Sequence, residues 1–214
     1  MNRRSFLHLA ALFLAGCAVP PGAAPDAAPT PTAGPTSIPP EPTVCRLAPF
    51  TAPTRPAAVP RLDQVDDIGL HVAGRGPVEI DPLSYRLKVS GLVEQPLELS
   101  LDELRCLPRI AARVVLTCQG AFRDETTYAG VPLARVLELA HLRKEARAVH
   151  LLGADQNLGN IDLRNALDEN TFLAYQWKTE PLPILHGFPL RAVIPALLGY
   201  AWTKYLVEIQ VVDA

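Results

Sequence analysis

Apolar Tyr85, Leu87 and Val89 alternate with basic Arg86 and Lys88, the period of a half-buried strand that ends at the Ser90-Gly91 turn. Ser100-Leu101-Asp102-Glu103 carries the signature of a capping box, so a short helix opens there and must stop before Pro108. The β-branched run Val114-Val115-Leu116-Thr117 predicts a strand that delivers Cys118 at its end. Leu133, Val136, Leu137 and Ala140 form a helical apolar stripe after Gly130-Val131-Pro132, with the proline in the first turn. Further strands are predicted over 148–152, 172–176, 190–194 and 205–212, with a short helix over 163–167. No internal repeat is detectable, and the inventory describes a mixed, strand-rich α+β domain over residues 61–214.

The chain before residue 61 follows another pattern. Arg3-Arg4 precedes an apolar run from Leu7 to Val19, broken only by His8 and Gly16 and too short to span a bilayer as a permanent helix. It reads as an export signal over residues 1–16, and the arginine pair followed by Phe6 and Leu7 resembles the twin-arginine type. Leu14-Ala15-Gly16-Cys17 resembles a bacterial lipobox, which assigns a lipid to the Cys17 thiol. Residues 17–60 are rich in Pro, Ala and Thr; 13 of the 22 prolines lie between Pro20 and Pro60, and apolar periodicity is lacking. That composition describes an extended tether holding the domain off a membrane surface.

The chain's 214 residues, 49% hydrophobic and 20% charged, suffice for one or two well-buried domains. A net charge of −2, becoming −4 when the signal's two arginines leave 18 basic against 22 acidic residues, argues against a nucleic-acid partner. Of the four cysteines, Cys17 is claimed by lipid, and a Cys45–Cys106 bridge is one pairing that would pin the tether to the domain. Cys118 would then be the free thiol. It stands at a strand end before Gln119-Gly120, where a ligand can approach, although a small apolar cysteine also fills cores. A soft thiolate suits a transition metal, and no C-x-x-C or H-x-x-x-H spacing accompanies it to suggest structural zinc. A Cys–His hydrolase using His150 or His186 also fits the spacing. Arg191 and Lys204, both near loop ends, are cations able to grip a phosphate or to remain solvated.

The series Tyr85-Arg-Leu-Lys-Val-Ser-Gly-Leu-Val-Glu-Gln-Pro-Leu, Leu99-Ser-Leu-Asp-Glu-Leu, Leu116-Thr-Cys-Gln-Gly, Gly130-Val-Pro-Leu, His186-Gly-Phe-Pro-Leu-Arg and Lys204-Tyr-Leu-Val-Glu-Ile resembles the sulfite-oxidase-type molybdopterin oxidoreductases. That family includes sulfite oxidases, plant nitrate reductases and the catalytic subunit of periplasmic methionine sulfoxide reductase. The resemblance implies the sulfite oxidase molybdopterin-binding fold, a molybdenum–molybdopterin cofactor and Cys118 as the metal ligand. It further implies pterin and phosphate contacts from His186, Arg191, Trp202, Thr203 and Lys204, and a substrate-oxyanion role for Arg123. Three departures qualify it. Gly69-Leu-His-Val-Ala-Gly-Arg-Gly-Pro offers only His71 or Arg75 where the family packs a polar side chain on the pterin. Asp155-Gln156-Asn157 replaces a common Asp-Gly-Tyr, and Tyr128 stands where tryptophan is usual. The sequence also lacks an immunoglobulin-like dimerisation domain and a haem motif, so a monomer is expected.

The expectation is therefore an exported, lipid-anchored enzyme at the outer face of the cytoplasmic membrane or in the periplasm. It transfers an oxygen atom or two electrons on a small sulfur or similar oxyanion compound, and exchanges electrons with a membrane haem protein or a soluble cytochrome. The rival expectation is a surface binding module that keeps the fold without the cofactor.

Overall fold

The computed structural model describes residues 45, 47–48, 51–61, 64–74 and 76–213. The signal, Cys17, the tether up to residue 44 and Arg75 lie outside the described residues. Among those described, no helix is long and apolar enough to cross a membrane.

Among the described residues, ten strands build two five-stranded sheets. In the first sheet, β1 (Arg86–Gly91) lies between β2 (Leu97–Ser100) and β10 (Leu206–Val212), followed by β5 (Ala148–Gly153) and β6 (Leu158–Asp162). The β1–β10 pair is parallel, and the other neighbours are antiparallel. The predicted alternation is realised: Leu87 and Val89 are fully buried while Arg86 and Lys88 face solvent. The second sheet runs β3 (Ile110–Cys118), β4 (Phe122–Pro132), β7 (Phe172–Trp177) and β8 (Glu180–Pro181), with β9 (Arg191–Val193) also pairing with β7.

The helices are short because each is bounded by local chemistry. Helix α1 (Leu101–Cys106) starts at Ser100, whose hydroxyl accepts from the Glu103 amide while the Glu103 carboxylate accepts from the Ser100 amide. It ends two residues before Pro108, which would remove a donor, with Leu107 already extended. Helix α2 (Leu133–Ala140) buries Leu133, Val136, Leu137 and Ala140, the predicted stripe, and Pro132 is its N-cap rather than a residue of its first turn. A four-residue helix, α3 (Leu163–Ala166), is capped by Asp162.

Four strands escaped the hydrophobic reading: β2, β4, β6 and the two-residue β8. Strand β4 is the instructive one. Its FRDETTY stretch looks hydrophilic, yet it pairs along its length with β3, and the strand continues into Tyr128–Pro132, which pairs with β7. Its alternate residues Phe122, Asp124, Thr126 and Tyr128 share one face, and that face lines a cavity rather than the apolar core.

The segment before β1 is fastened to the domain. Cys45 is disulfide-bonded to Cys106 at the end of α1, with Cα atoms 5.7 Å apart, which leaves Cys118 as the free cysteine among the described residues. Nearby, the Arg105 guanidinium donates to the Ala48 carbonyl. Farther along, Val65 bridges His71 in antiparallel fashion, closing a small loop.

Candidate active site

A cavity of about 560 Å³ opens between the β3–β4 hairpin, the loop after β9 and the segment before β1. That size is typical of small-molecule and cofactor sites. Cys118 enters its wall because the hairpin turns at Gln119-Gly120-Ala121: Cys118 pairs directly with Phe122, and Gly120 takes a φ of +79°. A side chain at Gly120 would strain that turn.

Arg191, Trp202, Lys204 and His186 converge on the cavity from the chain's last quarter. The link between them is Gly187, at φ +107°, where a Cβ would lie 3.0 Å from Lys204 Cβ and 3.1 Å from Arg191 Cβ. The His-Gly-Phe-Pro-Leu-Arg motif is thus a tight turn that lets an arginine and a lysine approach one backbone. Arg191 is only 3% exposed. Its Nη1 donates to the His186 carbonyl at 3.2 Å and to the Tyr128 hydroxyl at 3.3 Å, and its Nε is buried without a partner. Lys204 Nζ donates to the Leu185 carbonyl at 2.9 Å and to the Ala73 carbonyl. An ammonium has three N–H donors, so one remains for a ligand. Burial lowers the Lys204 pKa to about 8, the nearby Arg191 charge adds to the effect, and Asp155 opposes it.

His186 is buried, and its Nε2 donates to Asp66 Oδ2 at 2.7 Å. Burial pushes its pKa down, against the hydrogen bond and charge of Asp66, so the ring is held neutral at pH 7. Asp66 carries this pair from the segment before β1, and its Oδ1 also accepts from the Ile68 and Leu70 amides. Farther along the same segment, His71 Nδ1 lies 2.6 Å from Asp124 Oδ1, and the His71 amide donates to Asp124 Oδ2 at 2.7 Å. The His71 ring stacks on Phe122 with centroids 4.5 Å apart and planes within 6°.

Of the residues singled out in the sequence, Cys118, His71, His186, Arg191, Trp202 and Lys204 line this cavity together. Thr203 does not: it is fully buried, with its hydroxyl donating to the Leu151 carbonyl. Arg123 does not either. It alternates with Phe122 and Asp124 along β4, so it faces outward and is exposed. Asp155, Gln156 and Asn157, the unusual β5–β6 turn, reach the lining. Asp66 and Asp124 were missed, and no signal in the sequence pairs either with a histidine 120 or 53 positions away.

The sequence pattern of the family described as "Oxidoreductase molybdopterin binding domain" matches residues 73–214. The chain is 32% identical over 136 residues to the "Putative protein-methionine-sulfoxide reductase subunit YedZ1" of Azospira oryzae, covering 64% of this chain and 52% of that protein. It is 34% identical to the "Uncharacterized oxidoreductase YuiH" of Bacillus subtilis, over 64% of this chain and 70% of that one. It is 35% identical to human mitochondrial sulfite oxidase, over 62% of this chain and 30% of the relative. Among solved structures, the sulfane dehydrogenase SoxCD from Paracoccus pantotrophus superposes with a TM-score of 0.63 at 26% identity, covering 66% of this chain and 41% of that one. The chain therefore spans about half the length of the YedZ1 relative and a smaller share of the sulfite oxidase.

Proposed function

Because the chain belongs to the oxidoreductase molybdopterin binding domain family, we propose that the cavity holds a molybdenum–pterin cofactor and performs oxygen-atom or two-electron transfer on a small sulfur or similar oxyanion compound. The observation that carries this reading is the free Cys118 thiol opening into the same cavity as the buried, unpartnered Nε of Arg191.

The donors suit such a group. No cluster of three or more His, Cys, Asp or Glu side chains able to hold a metal occurs among the described residues. A metal at Cys118 therefore draws its other ligands from a bound group, as a pterin dithiolene provides. The phosphate end of the group fits the other pole of the cavity: Arg191 Nε gains the acceptor it lacks, and Lys204 contributes its remaining N–H. Trp202 packs there with the Arg191 guanidinium 5.8 Å above its ring, which keeps that cation in place.

When bound, the cofactor supplies a metal that exchanges two electrons and an oxygen atom with the substrate. The chain's own residues orient it: the hairpin fixes the Cys118 sulfur, and the Gly187 turn fixes the two cations. Electrons pass to or from a membrane haem protein or a soluble cytochrome. The arginine pair, the short apolar run and the Leu-Ala-Gly-Cys17 sequence support export by the twin-arginine route and lipid attachment. The Cys45–Cys106 disulfide agrees with an oxidising compartment.

The test is to express the full chain in a molybdenum-replete host and measure molybdenum and pterin per chain for wild type and Cys118→Ser. Near-stoichiometric metal in the wild type, lost or altered in environment in the variant, is the expected result. A folded wild type without metal would move the weight to a cofactor-free binding module.

A further inference from the structure

Resting on that reading, we propose that His71 is the catalytic acid–base of this site and that Asp124 is its positioning residue. Four contacts fix the ring: the bridge between Val65 and His71, the His71 amide on Asp124 Oδ2, Nδ1 on Asp124 Oδ1, and the flat stack on Phe122. Phe122 is the cross-strand partner of Cys118. Directly opposed residues on one sheet face have Cβ atoms about 5 Å apart. The histidine thus stacks on the cross-strand neighbour of the thiol, while Ala73, two residues on, meets Lys204.

Apart from Cys118 and the exposed Tyr200, the other titratable groups lining the cavity are committed. Arg191 bonds the His186 carbonyl and Tyr128, whose hydroxyl burial holds above its usual range. Lys204 is spent on the Ala73 and Leu185 carbonyls apart from its third N–H. His186 is bonded to Asp66, and Asp155 accepts from the Asn157 amide. His71 differs in keeping its side chain 27% exposed, with Asp124 on Nδ1. With Nδ1–H donating to the carboxylate, the neutral ring presents an unprotonated Nε2 to the cavity, and the imidazolium presents an N–H. The carboxylate holds one orientation in both states and one tautomer in the neutral state, as an orienting group does for a general base.

The proton balance shows what this atom does. Reduction of a substrate X=O to X releases the oxygen as water and consumes two protons and two electrons. The electrons come from a haem-protein donor, oxidised in two one-electron steps. The His71 imidazolium gives one proton from Nε2 to the departing oxygen and is left neutral, the second proton comes from solvent, and the ring is then reprotonated. In the oxidative direction, water gives its oxygen to the substrate, one of its protons to the neutral ring and the other to solvent, and the two electrons leave to a haem-protein acceptor in two one-electron steps.

The experiment compares molybdenum-loaded wild type, His71→Gln and Asp124→Asn. The readouts are metal and pterin content, the pH profile of dimethyl sulfoxide reduction by a reduced viologen dye, and imidazole nitrogen NMR. His71→Gln is expected to keep wild-type metal content while kcat falls about 100- to 10,000-fold and one limb of the pH profile disappears. Asp124→Asn should lower kcat by about tenfold and displace that limb. In the wild type the neutral His71 ring should carry its proton on Nδ1, and in Asp124→Asn should shift toward Nε2. The proposal is overturned by a loaded His71→Gln protein with unchanged kcat and pH profile, or by Nε2–H in the neutral wild-type ring. Loss of metal from His71→Gln in proportion to activity also overturns it, making His71 a cofactor contact. A folded wild type that binds no molybdenum fails at the earlier step and overturns the cofactor reading itself.

Discussion

Two histidine–carboxylate pairs join the segment before residue 75 to the rest of the domain, and they run in opposite senses. In one, Asp66 of the segment meets His186 of the domain; in the other, His71 of the segment meets Asp124 of the domain. Their separations are nearly equal, at 2.7 and 2.6 Å, but their surroundings are not. The Asp66–His186 side chains are 5–8% exposed, whereas those of His71 and Asp124 are 27% and 12% exposed. The same chemistry therefore serves two ends. Where water is excluded the pair is a fastener, because separating it strands buried polar atoms. Where one ring edge stays open, the pair can exchange a proton.

Breaking the fastening should produce the largest stability effects. The Cys45–Cys106 bridge spans a sequence separation of 61, so Cys45→Ser should lower unfolding stability by about 4 kcal/mol in the chain-entropy account, read from denaturant titration. Asp66→Ala removes the acceptor for His186 Nε2 and for the Ile68 and Leu70 amides, and should cost about 3 kcal/mol. Equal stability in Asp66→Ala and wild type would erase the distinction between the two pairs.

A smaller effect follows from protonation. Burial depresses the His186 pKa below its usual 6.5, so the unfolded chain binds more protons than the folded one as pH falls through that value. That contribution to stability is present above about pH 6.5 and is lost on acidification. His186→Gln should flatten the decline of melting temperature below pH 6.5. At the other pole, Lys204, at about 8, should lose its charge as pH rises through that value in the cofactor-free protein. Inorganic phosphate, a probe of the Arg191–Lys204 grip, should bind more weakly above pH 8 than below it. The smallest effect belongs to Arg123→Gln. Its outward side chain predicts a stability change within about 0.5 kcal/mol and unchanged phosphate binding, measured by calorimetry.

Much of the framework was legible in the residues themselves. The Tyr85–Val89 alternation, the Ser100–Glu103 capping box and the Leu133–Ala140 stripe are local patterns, and local patterns survive folding when one face is buried. The order of motifs carried Cys118, Arg191 and Lys204 into one site, and the cavity contains all three. Strand β4 was not legible, because its inward face lines a cavity and carries Asp124 and Thr126 where a core strand carries apolar side chains.

What the sequence by itself determined is the set of short-range elements and the identity of the thiol and the two cations, since these depend on neighbours a few positions apart or on a motif. The tertiary structure decided which carboxylate meets which histidine, that Arg123 faces outward, and that Thr203 is buried in the core. Those outcomes depend on strand register and on where a segment outside the matched residues 73–214 crosses the domain. A one-residue change of register exchanges the two faces of a strand, and a hydrogen bond across 120 residues exists only once the chain has brought its ends together.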